Sequence, residues 1–311
     1  MDPRFSKFSI GFLCALMLIS DASKYLHSKE KSDFSFGAEL EASVGNESNV
    51  VVEEIDLSTT RGDSFFVVKA KGDIEYAFSS QHSVSAGISY TDKNYFEADR
   101  FSLQTTLSSA GYKFKHADYT LSFDYRNASA DLGGNDFLTL THVSPAISFF
   151  LDKKNFLRLA YTNIDKELIN NPTRDAQSDE IGVDYYYFWN GLSDYFISSV
   201  KLRQEDAIDP VFNFSSYQLR LAYKKRYSVS TYKLRLTVEG KYRERDFNDR
   251  LNPRINAFRA DDRATFSLSN EAEIIDDLFW HVALSYVNND SNLASASYSE
   301  TSVASGISYQ F

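Results

Sequence analysis

Phe66-Val67-Val68-Lys69-Ala70-Lys71-Gly72-Asp73-Ile74-Glu75-Tyr76-Ala77-Phe78 carries the pattern that decides the fold. Phe66, Val68, Ala70, Gly72, Ile74, Tyr76 and Phe78 share one parity, and Lys69, Lys71, Asp73 and Glu75 hold the other. Successive side chains of a strand point to opposite faces, so this segment reads as a β-strand with one apolar and one charged face. The same period precedes it at Phe34, Phe36, Ala38, Leu40, Ala42 and Val44, and follows it at Val84, Ala86, Ile88 and Tyr90. Carried to the C-terminus, the count reaches about 14 strands in a single unit without Pro- or Gly-rich linkers. A slip of parity near Ser109 predicts a bulge in the fourth strand.

Composition fits this reading. The 311 residues include 25 Phe and 20 Tyr but only 5 Pro, an aromatic excess that favours strands. Mean hydropathy is −0.37 and no long apolar run occurs, which excludes a transmembrane helix in the mature chain. A barrel strand meets lipid only at every second side chain, so a polar average is compatible with membrane insertion. The net charge of −10 argues against a nucleic-acid surface.

At the N-terminus, Arg4 and Lys7 precede the apolar stretch Phe8 to Ile19, and Ser20-Asp21-Ala22 supplies small residues for cleavage. Residues 1–22 read as a secretory signal and residues 23–311 as one barrel domain. The only cysteine, Cys14, leaves with the signal, so the mature chain has no disulfide.

Connections alternate between short turns, such as Ser79 to Gln81 and Asp152 to Asn155, and longer polar loops. The long set comprises Gly45 to Gly62, Thr91 to Asp99, Asn127 to Asp136, Lys166 to Ser178, Gln204 to Pro210, Arg245 to Arg259 and Asn288 to Ser297. A closed antiparallel up-and-down transmembrane barrel places short turns on one rim and long loops on the other. The first and sixth long loops, Gly45 to Gly62 and Arg245 to Arg259, are candidates to plug the lumen. Tyrosines near strand ends, among them Tyr125, Tyr161, Tyr185, Tyr242 and Tyr286, are placed to form interfacial girdles.

At the C-terminus, Val303, Ile307, Tyr309 and the final Phe311 alternate with polar or small residues. This segment resembles the terminal strand of Gram-negative outer-membrane proteins, a resemblance that implies an exported outer-membrane protein recognised by the barrel-assembly machinery. Gly45-Asn46-Glu47-Ser48-Asn49-Val50 and Asn289-Asp290-Ser291-Asn292, followed by Tyr298, resemble the first and last hairpins of the barrel in the surface lipoprotein assembly modifier family. That second resemblance implies a translocon-type barrel with a lipoprotein client. Members of that family usually carry a helical-repeat domain before the barrel, whereas here the first strand starts about ten residues after the signal.

With the apolar parity facing outer-membrane lipid, the charges on the other parity sort into two walls. Lys201, Arg203, Arg220, Lys224, Lys233, Arg235, Lys241 and Arg243 form a basic wall, and Glu39, Glu41, Asp73, Glu75, Glu271 and Glu273 an acidic one. They either pair across strands or set a transverse field that selects polar solutes, and the two readings are compatible. The function expected is a porin-like passage for polar solutes through a monomeric barrel. His142-Val143-Ser144 is the only catalytic suggestion, and Pro145 after it departs from outer-membrane lipases, so His142 reads as a lumen or rim residue and the chain as no enzyme. Five His without ligand spacing indicate no metal, and no cofactor is expected. Arg250, Arg254 and Arg259 read as rim residues suited to lipid phosphates.

Overall fold

The computed structural model describes residues 33–311, and the expected signal at residues 1–22 lies outside them. Fourteen antiparallel strands close into one barrel in which each strand pairs with its neighbour in sequence and the last pairs with the first. They are β1 Phe34–Glu47, β2 Asp63–Ala77, β3 His82–Tyr95, β4 Leu103–Lys115, β5 Thr120–Leu132, β6 Asn135–Phe150 and β7 Asn155–Leu168. The second half consists of β8 Ala176–Leu192, β9 Asp194–Ala207, β10 Phe214–Val229, β11 Tyr232–Asn252, β12 Ala257–Ile275, β13 Leu278–Ser291 and β14 Tyr298–Gln310. Each of the fourteen apolar alternations in the sequence falls on one of these strands.

The seam is made by β1 and β14, with Leu40 opposite Tyr309 and Ala42 opposite Ile307. The Phe311 amide extends it by donating to the Ala38 carbonyl at 2.9 Å. Glycine is required here: a Cβ on Gly306 would lie 2.4 Å from the Ala42 carbonyl oxygen. Closure satisfies the strand edges that an open sheet would leave unpaired, the condition for backbone to cross hydrocarbon.

Outward positions carry an apolar belt. Ile88 and Leu221 stand exposed in mid-barrel and Ile181 nearer the long-loop rim, with Phe34, Phe36, Tyr76, Phe123 and Trp189 toward the short-turn rim. Tyrosine hydroxyls mark both edges. Toward the long-loop rim, Tyr242 donates to Asp262 at 2.5 Å and Tyr161 donates to Asp179. Toward the other rim, Tyr185 donates to Asn155, which lies opposite Tyr187. From Asp179 to Tyr187 is about 27 Å along the strand at ~3.4 Å per residue, or about 20 Å of height at a tilt of ~40°. That height suits the hydrocarbon band of an outer membrane.

Three sequence expectations are corrected. Ser109 sits opposite Gly87 and Arg126 in unbroken register, so β4 has no bulge there; its outer face simply turns polar at Thr106 and Ser108. Register shifts occur instead between Ala130 and Asp131, Phe247 and Asn252, and Glu273 and Ile275. Most of Asn127 to Asp136 and of Arg245 to Arg259 is strand, turning only at Gly133-Gly134 and at residues 253–256. Hydrogen-bonded ladders do not need lipid, so strands continue above the membrane where the apolar alternation has already stopped.

Candidate functional site

Loop 48–62, between β1 and β2, folds into the barrel. It carries the two-residue strands Val51–Val52 and Leu57–Ser58, which pair with each other, and the 3-10 turn Glu53–Ile55 between them. Asp56 closes that turn in the left-handed region at φ 52°. The small hairpin presents an apolar face on one side and an acidic face on the other, and each finds a partner on a different wall.

Val50 and Val52 are buried with Phe101, Phe137, Leu138 and Leu168, and Ile55, Leu132 and Leu140 pack against them. These partners come from β5, β6, β7 and the loop before β4. Each fully buried aliphatic or aromatic side chain contributes roughly 1.5–3 kcal/mol, so this anchor does not depend on charge.

The opposite face meets arginines. Glu53 accepts from Arg243 and Arg245 on β11 through Oε1 and from Arg263 on β12 through Oε2. Asp56 accepts from Arg174, in the loop after β7, at 2.6 Å and from Arg259 on β12 at 2.8 Å. The Arg174 guanidinium also donates to the Glu54 carbonyl at 2.6 Å. Burial would raise the Asp56 carboxyl, but the hydrogen bonds and charges of Arg259 and Arg174 outweigh it and hold Asp56 below the usual carboxylate range. Loop 48–62 therefore crosses the lumen from an apolar anchor to an ionic one.

Aromatic faces fix the arginines. Arg203 and Arg245 lie 5.6 and 5.4 Å from the Phe214 ring centroid, Arg259 lies 4.6 Å from Phe247, and Arg174 lies 4.2 Å from Phe212. Cation–π contacts orient guanidinium groups while leaving donors free. The cavity under the loop has a volume of about 210 Å³ and is lined by these arginines with Lys166, Lys201, Glu180 and Glu205.

Ladder register places the whole expected basic wall on the parity of Arg243. Lys201 pairs with Glu180 at 2.6 Å, Arg203 pairs with Glu205, Arg220 reaches Glu239 at 2.6 Å and Lys241 reaches the same carboxylate at 2.8 Å. Lys233 pairs with Glu273 at 3.0 Å and Arg235 with Glu271 at 3.5 Å, so these two acids sit within the basic wall. Lys224 stands opposite Tyr195 and Thr237. On the far side, Glu41 pairs with Lys69 at 2.9 Å, Asp73 with Lys71 at 3.4 Å and Glu75 with Lys113 at 3.6 Å, while Glu39 takes a 3.4 Å bond from Gln310. Cross-strand and same-strand pairing therefore accounts for most of both walls.

The sequence reading missed Arg174, Arg245 and Arg263, which lay in or beside segments taken as loops. Parity was the available signal, because Arg245 continues Lys241 and Arg243, and Arg263 is opposite Arg243. Arg259 is buried between Asp56 and Asp261, which overturns its reading as an exposed rim group; its charge is already satisfied inside the barrel. Arg250 pairs with Asp209 at 3.3 Å. The Ser144 hydroxyl contacts Thr162 Oγ1 at 2.7 Å and the Tyr161 carbonyl at 3.2 Å. It thereby gives the Tyr161 carbonyl a donor where Pro145 has none, which is a structural task. Among the described residues, no group of three or more His, Cys, Asp or Glu is placed to hold a metal ion.

No family model matches the chain, and no curated protein matches it. Solved structures do. An anion-selective porin from Comamonas acidovorans superposes with a TM-score of 0.52 at 8% identity, covering 89% of this chain and 99% of that one. OmpTdeltaL8, a loop L8 deletion mutant of OmpT, an outer membrane protein of Vibrio cholerae, gives a TM-score of 0.52 at 10% identity with the same coverage. The fold is that of an outer-membrane β-barrel. In this barrel, loop 48–62 and the arginines it meets lie across the lumen, level with the upper girdle tyrosine Tyr242, which neighbours Arg243 on β11.

Proposed function

We propose that the chain is an outer-membrane passage for polar solutes, narrowed by loop 48–62. The observation that carries this reading is a closed fourteen-strand barrel whose inward parity is charged from Glu39 to Glu273 and whose lumen holds a polar cavity directly beneath the loop. Charged walls keep a pore wet and select by sign. One barrel of the same fold is an anion-selective porin, and the arginine-rich constriction favours anions here too. Its surroundings would be outer-membrane lipid, reached by a signal at residues 1–22, with Val303, Ile307, Tyr309 and Phe311 read by the barrel-assembly machinery. The passage operates as a monomer and performs no chemistry on its solute.

A second reading is favoured by the loop itself. A barrel closed by its own loop suits a translocon-type protein that opens only for a partner, and the resemblance of both end hairpins to the surface lipoprotein assembly modifier barrel points to a lipoprotein client. Liposome swelling separates the two. The passage reading expects purified protein in liposomes to admit small sugars and amino acids at rates that fall with solute size. Liposomes impermeable to all of them, with correctly folded protein, would favour the partner-dependent reading.

A further inference from the structure

We infer that the guanidinium groups of Arg243, Arg245 and Arg263 form a binding site for small dianionic oxyanions, which enter by displacing the Glu53 carboxylate. This deepens the passage reading by naming a solute class, yet it is measurable as binding alone.

The closed site carries excess positive charge. Three guanidinium groups converge on one carboxylate, leaving an excess of two positive charges at that point. Seven basic and five acidic side chains line the cavity beside it, and three of those acids, Glu53, Glu54 and Asp56, belong to the loop. A loop that moves aside takes its negative charge with it, and the wall left behind is more basic than the closed site. A dianion balances the trio better than Glu53 does.

It also holds unused donors. The Nε atoms of Arg203, Arg243 and Arg245 are buried and have no hydrogen-bond partner among the described residues. An unsatisfied buried donor costs about 1–3 kcal/mol, a cost that an oxyanion with several acceptor oxygens relieves and a single carboxylate does not.

Its donors are preorganised. The Phe214 ring meets both the Arg203 and Arg245 guanidiniums, and the Tyr298 ring centroid lies 5.9 Å from the Arg263 guanidinium, so the forks stay oriented when the loop leaves. Fixed donors lower the ordering cost of binding. The cavity of about 210 Å³ is below the range of drug-sized sites and suits a solute of few heavy atoms. Glu53 is therefore an internal surrogate for the ligand, and its side chain shows that carboxylate oxygens fit.

Calorimetry on the detergent-solubilised full chain tests this with succinate and inorganic phosphate as probes, propionate as the monoanion and lysine as the cation. The site binds succinate or phosphate at least tenfold more tightly than propionate. Glu53→Gln, which removes the competing charge, tightens the dianion about tenfold further. Arg245→Gln with Arg263→Gln abolishes binding while the β-sheet circular dichroism spectrum is retained; if that pair fails to fold, Arg243→Gln alone weakens binding at least tenfold. Succinate against phosphate distinguishes a dicarboxylate site from a phosphate site. Equal affinity for propionate and succinate, binding that survives the arginine changes, or no heat from either dianion overturns the inference. A conducting barrel that binds neither dianion would keep the passage reading and lose this one, whereas binding by a barrel impermeable in liposomes would do the reverse.

Discussion

Replacing Glu53 by Gln keeps the size and hydrogen-bonding oxygen of the side chain but removes the charge that three arginines share. Hydrogen bonds to charged groups contribute ~1.5–3 kcal/mol each. They are not additive here, because the same carboxylate serves all three and its side chain keeps 26% of its exposure, so water screens part of the gain. A net loss near one such bond, about 2 kcal/mol, is the reasoned figure, and at 1.4 kcal/mol per tenfold it shifts the closed-to-open ratio of loop 48–62 by about 30-fold. The apolar anchor at Val50 and Val52 is untouched, so the closed form survives as a substantial state. Single-channel recording reads this directly: Glu53→Gln should show wide-open dwells roughly 30 times more populated than wild type at unchanged wide-open conductance. Superimposable traces for the two proteins would refute the claim that the ionic anchor holds the constriction.

Acid should loosen the other half of the latch. Asp56 has a depressed folded value, so its contribution is complete above the unfolded carboxylate pKa of about 3.9 and is lost as pH falls through the lower folded value. It faces Arg174 from the loop after β7 and Arg259 with Asp261 from β12. Hydrogen exchange in residues 50–60 should rise only below about pH 4, and Asp56→Asn should remove that step; a transition near neutral pH would contradict the assignment. Leu221→Arg, on the exposed lipid face in mid-barrel, should destabilise the barrel by about 2–4 kcal/mol in lipid-vesicle unfolding, and a neutral outcome would put that face elsewhere. Gly306→Val should prevent closure of the β1–β14 seam, because its Cβ meets backbone at 2.4 Å; a heat-modifiable gel shift equal to wild type would show that the seam has slack.

Much of this molecule was legible in the sequence because lipid imposes a period of two on every crossing segment, as in Phe66 to Phe78. The fourteen strands and the parity of both charged walls follow from that period alone. Their upper ends did not, because above the membrane the constraint is lifted: Asn127 to Leu132 and Arg245 to Phe247 pair as strands although Asn127, Ser129, Asp131 and Asp246, on the parity that faces lipid lower down, are polar. The inward fold of loop 48–62 was half visible. Val50, Val51, Val52 and Ile55 are an odd apolar content for a solvated loop, and Glu53, Glu54 and Asp56 are an acidic counterpart to arginines elsewhere. Arg245 to Arg259 was equally long as a supposed loop, and only the ladder from Asp246 opposite Ala260 to Phe247 opposite Arg259 shows that it stands upright as a hairpin. Arg174 had no periodic signal, since it lies in a short turn and meets Asp56 118 residues away in sequence.

Planar-bilayer conductance of the wild-type chain against a variant in which residues 50–59 are replaced by a short Gly-Ser link would show whether the barrel is wet and narrowed by loop 48–62. Wild type should give small, stable conductance steps and the variant several-fold larger steps, both rising with salt concentration. Two folded but silent barrels, or two of equal conductance, would contradict a wet barrel narrowed by that loop.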